Sequence, residues 1–143
     1  MNKRRLLKLA DLLETGAKNP KGVKFDLGTW GGDASGGKKP MGMHCGTTAC
    51  AMGLAALSGA FRRQGLRYEI TQGNYDVPDD LKVYFGDNDG LDAARGLFAI
   101  SYDEAEWLFT VVSYTQDKWH GAKGERAVAK RIRDFVAGKA QPI

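Results

Sequence analysis

The sequence predicts a helix-dominated α+β domain. Three observations carry that prediction. Several segments repeat apolar residues at helical spacing, two short stretches alternate like strands, and one segment of small apolar residues carries no charge on any face. The expected architecture is about five helices around that charge-free central helix, with two to three short strands, in one domain over residues 1–143.

The first helix is expected from about Lys3 to Thr15. Leu6, Leu9, Ala10 and Leu13 form its apolar stripe, and Leu7 and Leu12 lie at the margins. Asn2 is placed to cap it and Gly16 to stop it. The stretch Val23 to Trp30 alternates Val, Phe and Leu against Lys, Asp and Gly, as a short strand does. A glycine-rich loop follows, from Gly31 to Gly42.

The central helix is expected to begin near Thr47 or Thr48 and to end at Gly59. Its interior runs Ala49, Cys50, Ala51, Met52, Gly53, Leu54, Ala55, Ala56, Leu57, which marks a buried helix. Leu66 to Thr71 alternates and reads as a strand. A short helix or turn is expected through Leu81, Val83 and Phe85, and GDNDG at 86–90 signals a turn. LDAARGLFAI reads as a helix with Leu91, Ala94, Leu97 and Phe98 inward. Ser101 and Glu104 match a capping box, and the helix they open turns Ala105, Leu108, Phe109 and Val112 inward. Residues 114–124 read as a polar loop. The last helix, GERAVAKRIRDFVAG, places Val128, Ile132, Phe135 and Val136 inward.

Composition narrows the function classes. The hydrophobic fraction is 43% and the charged fraction 27%, which excludes a disordered chain. The formal net charge is +4, but basic and acidic residues interleave, so nucleic acid is not the expected partner. No apolar stretch reaches the length of a membrane span, so no membrane partner is expected. MNKRRLLKLADLLE is broken by Lys8 and Asp11 at helical spacing and reads as an amphipathic helix rather than a leader. Two cysteines do not build a disulfide framework, and the chain reads as cytoplasmic with reduced thiols.

HCGTTACAMGL, residues 44–54, concentrates the candidate chemistry. Gly46, Thr47 and Thr48 would set N–H groups and two hydroxyls at a helix start, a seat for a phosphate or carboxylate. Trp30, Tyr114 and Trp119 offer rings for a base. His44, Cys45 and His120 add polar contacts, with Lys38, Lys39 and Lys118 as charge. An alternative makes Cys45 a catalytic thiol, its pKa lowered beside a helix start, with His120 as base and Asp117 as orienter. Papain-like peptidases share that placement of the cysteine, but put the histidine on a strand. Metal is not expected. Cys50 should lie inside the helix, adjacent His44 and Cys45 would both have to bind, and around GDNDG a calcium loop with Gly90 as its glycine would have Phe85 and Gly96 where its first carboxylate and bidentate Glu belong. No cofactor is implied.

FDLGTW and HCGTTACAMGLA, with the later SYDEAEWLF and AVAKRIRDFVAG, resemble a group of small bacterial and bacteriophage proteins. Their shared core reads F-D-x-x-x-W … C-G-T-x-x-C-x-x-G-x-A. The resemblance brings no activity with it. It points to a bacteriophage setting, in which small proteins sequester nucleotide signals of host defence. The leading expectation is therefore a binding protein for a small phosphorylated, nucleotide-derived ligand. A Cys45–His120 hydrolase or transferase stands second, and an inhibitor of a host protein third. A homodimer is also an expectation, since oligomers are common, although no surface stripe marks an interface.

Overall fold

The computed structural model describes residues 1–15, 23–25, 32–33, 47–71, 80–110, 113–115 and 121–142. It is an α+β fold dominated by helices. In chain order the elements are α1 (Lys3–Thr15), β1 (Val23–Phe25), β2 (Gly32–Asp33), β3 (Thr47–Ala49) and α2 (Ala51–Ser58). They continue as β4 (Leu66–Thr71), β5 (Asp80–Phe85), β6 (Asn88–Asp89), α3 (Gly90–Phe98), α4 (Tyr102–Phe109) and α5 (Gly121–Val136).

The strands form one mixed sheet in the order β1-β3-β2-β5-β4, with β6 beside β5. β1 and β3 run parallel, and the other pairs are antiparallel. The core unites Leu6, Leu9 and Leu13 of α1, nearly all of α2, Leu81 and Val83 of β5, and the inner faces of α3, α4 and α5. α1 lies along α5, and α3 lies on β5. Phe98 is the aromatic hinge of this core, packed edge-on against Phe61 and tilted against Phe109.

α1 has the expected bounds, and the Asn2 side chain accepts from the Arg5 N–H, closing its first turn. α4 opens with the complete capping box: Glu104 N–H donates to Ser101 Oγ, and Ser101 N–H to Glu104 Oε1. α2 ends at Gly59, whose positive φ of 75° is the left-handed stop. Gly96 has a different reason. A Cβ there would meet the Phe85 ring at 2.7 Å, so the missing side chain lets α3 seat on β5.

Three expectations need correction. The central helix does not begin at Thr47 or Thr48. Those residues form β3, in keeping with β-branched side chains, and the helix starts at Ala51 with Cys50 as its cap. Residues 81–85 are not a helix or turn. Leu81, Val83 and Phe85 are a period-two pattern, paired against Ile70, Tyr68 and Leu66 of β4. Finally, α5 begins at Gly121, inside the segment read as a polar loop. Gly16, Val112 and Trp30, to which bounds or inward positions were assigned, lie outside the described residues.

Candidate functional site

Of the nine expected ligand contacts, three are described. Trp30, His44, Cys45, Gly46, Trp119 and His120 lie outside the described residues, so the catalytic pair Cys45 and His120 does too. Thr47 and Thr48 sit on β3. Thr48 is opposite Lys24 of β1 on one side and Gly32 of β2 on the other. A strand flanked on both sides belongs to a ladder, so these two residues are not the open N–H groups of a helix start. The same shift removes the premise for Cys45 as a thiol at a helix start. Cys50 holds that position instead, and it is buried with 2% of its surface exposed. Its side chain makes no capping bond.

Tyr114 is the third described contact, and it leads to a site that sequence reasoning missed. It walls a cleft of ≈ 390 Å³ between the end of α4, residues 113–115 and the outer side of α5. Trp107, Ser113, Thr115, Lys130, Arg131 and Asp134 contribute the remaining polar and aromatic lining.

Arg131 organises this cleft. Its Nη1 donates to Trp107 O and Ser113 Oγ, both at 2.8 Å, and its Nη2 donates to Ser113 O at 2.7 Å. The guanidinium lies 3.7 Å from the Tyr114 ring centre and 4.8 Å from that of Trp107. A planar cation suits this place because it stacks on rings while its edge donates to carbonyls. Ser113 Oγ donates in turn to Trp107 O, and the Tyr114 hydroxyl donates to Leu108 O. The helix end and the segment after it are thereby held as one wall. Trp107 is supported from behind by the Phe135 ring of α5.

Burial raises the Tyr114 hydroxyl well above its ordinary pKa, against a smaller opposing pull from Arg131, so the phenol stays neutral. Lys130, on the exposed side of α5, forms an ion pair with Asp134 one turn later. The described lining thus offers a fixed guanidinium, two rings, hydroxyls and, at the rim, the Lys130 ammonium paired with the Asp134 carboxylate. Among the described residues the lining holds no histidine or cysteine. No group of three His, Cys, Asp or Glu side chains converges among the described residues either.

No sequence spacing could have found this cleft. Trp107 and Arg131 are 24 residues apart, on different helices, and each looks like an ordinary member of its own amphipathic pattern. No described helix is long and apolar enough to cross a membrane. Comparison with models of known families, with characterised proteins and with solved structures finds no match to this chain.

Proposed function

We propose that this chain binds a small phosphorylated, nucleotide-derived ligand in the cleft along α5. The observation that supports this reading is the joint presence of Trp107, Tyr114, Lys130 and Arg131 in one ≈ 390 Å³ cleft. That volume falls in the range of small-molecule sites, about 300–1,000 Å³. The lining also matches the two halves of such a ligand. A ring gains from an aromatic face such as that of Trp107, and a phosphate gains from the Lys130 ammonium, while the Ser113 and Tyr114 hydroxyls give their protons to Trp107 O and Leu108 O. Arg131 contributes positive field as well as rigidity, because its charge remains while its donors bind carbonyls.

The site proposed from HCGTTACAMGL shares Tyr114 with this cleft. The resemblance to bacteriophage proteins extends the proposal: a chain that holds a nucleotide signal without turning it over would blunt the response that signal triggers.

The test is a thermal-shift screen with AMP, ADP-ribose and cyclic dinucleotides, followed by mass spectrometry of whatever heating releases from the purified chain. A ligand present at 100 times its Kd stabilises a fold by about 2.7 kcal/mol, which the screen reads easily. Lys130→Glu should weaken that stabilisation, since it reverses charge at the rim without touching the Arg131 bonds. A released compound identical to the one added identifies a binder. A converted compound identifies an enzyme, and no shift with any phosphorylated compound rejects the proposal.

A further inference from the structure

β4 ends the sheet. Among the described residues it pairs with β5 alone, over six consecutive residues from Leu66 opposite Phe85 to Thr71 opposite Asp80. At one end of its other edge the Leu66 N–H donates to Phe61 O, and no other described strand pairs along the rest. Edge strands are commonly blunted by proline, by lysine or by a bulge. LRYEIT contains neither residue, its two exposed charges, Arg67 and Glu69, pair with each other, and its register runs without interruption.

The side chains along this edge are distributed about a centre. Tyr68 stands in the middle and is 38% exposed. Arg67 and Glu69 flank it with opposite charges, 3.1 Å apart. Ile70, half-buried, and Leu66, buried in the core with 2% of its surface exposed, flank those with apolar side chains. On the face shared by Leu66, Tyr68 and Ile70, a cleft of ≈ 370 Å³ runs beside the strand, lined by Ala56, Leu57, Leu66 and Tyr68 with Arg62 and Arg67 at its margin.

This arrangement is self-complementary. A two-fold axis at Tyr68 sets an antiparallel second β4 so that Arg67 meets Glu69, Leu66 meets Ile70, and Tyr68 meets Tyr68. Opposite charges and aromatic pairs directly across strands are both favourable. The neighbouring registers are not. Centring on Arg67 puts arginine against arginine, and centring on Glu69 puts glutamate against glutamate. A slip of one residue sends apolar side chains to the charged face. We propose that the chain forms a homodimer through β4, antiparallel and centred on Tyr68, so that one sheet continues across both copies. The cleft beside each strand then receives the aromatic pair at the axis.

The test is sedimentation equilibrium on the full chain, with circular dichroism to verify that each variant is folded. The unaltered chain should show a monomer–dimer equilibrium. Glu69→Arg sets arginine against arginine twice per dimer and should raise the dissociation constant about tenfold. Arg67→Glu should do the same, although it also removes a stack on Tyr84 and a bond to Gly86 O. An equimolar mixture of the two single variants should associate again, because each then meets its opposite charge. Tyr68→Glu, at an exposed position, supplies a further variant that places two carboxylates at the axis and should also favour monomer. A monomer at every concentration up to about 1 mM, a dimer indifferent to these changes, or a mixture that fails to associate would overturn the proposal.

Discussion

Arg131 and Arg133 stand two residues apart on α5 and flank its apolar stripe on opposite sides. Their surroundings differ in kind. Arg131 is half-buried and answers to carbonyls, a hydroxyl and two rings. Arg133 reaches the other way, to carboxylates on α1: its Nε donates to Glu14, and its Nη2 donates to Glu14 and Asp11. Both arginines tie α5 to a second element. The bonds of the first are part-buried and those of the second exposed, and burial lets an ionic hydrogen bond keep more of its strength. Number of bonds and strength of attachment are therefore separate properties on this helix.

The largest effect should come from Arg131→Ala. It leaves Ser113 O and Trp107 O without this donor and uncovers one ring face each of Tyr114 and Trp107. About 2–3 kcal/mol of stability should be lost in urea unfolding. Arg131→Lys is the sharper variant. An ammonium cannot stack and donate along two edges together, so it should recover less than half of that loss. Full recovery would show that charge alone matters at this place.

Arg133→Ala should cost about 0.5–1 kcal/mol, the range of exposed ion pairs, because water solvates whatever the substitution frees. Its cost should also shrink in 1 M salt, where the screening length falls to about 3 Å. The cost of Arg131→Ala should change little, and equal salt dependence would erase the distinction.

Acid separates the two with the smallest absolute change. The hydrogen bond from Arg133 lowers the Glu14 pKa, with a further lowering from its charge, against some desolvation. A carboxylate lowered in the fold contributes stability that is fully present above its ordinary value, about 4.3. That contribution is lost as pH falls through the lower folded value. Arg133 itself is raised and stays charged throughout. The penalty of Arg133→Ala should thus shrink in thermal unfolding as pH falls below the ordinary carboxylate range. That of Arg131→Ala should persist, since carbonyls, a hydroxyl and neutral rings do not titrate there.

The stripe between the two arginines was readable without coordinates. Val128, Ile132 and Phe135 recur at helical spacing, and burying them needs no knowledge of the partner. Ser101 and Glu104 were equally readable, because a capping box is local. The start of α2 was not. Thr47, Thr48 and Ala49 continue into small apolar residues without punctuation, and only pairing to β1 and β2 makes them a strand. β5 shows the same limit: its alternation is plain once β4 is beside it. The Arg131 site depended wholly on tertiary structure, since Ser113 and Trp107 reach Arg131 from 18 and 24 residues away. Long-range hydrogen bonds leave no period in a sequence.

The pairing of α1 with α5 has a consequence during synthesis. The leucine stripe of α1 is made before α5, its most extensive partner, which follows roughly 100 residues later, after α2 and α3. At ordinary translation speeds that is a wait of about 5–20 s. Arg133 cannot reach Asp11 and Glu14 until then. During that interval the face of α1 that α5 will cover stays open, with α2 and α3 as its earlier partners. Chaperone contact should concentrate there and end when α5 emerges.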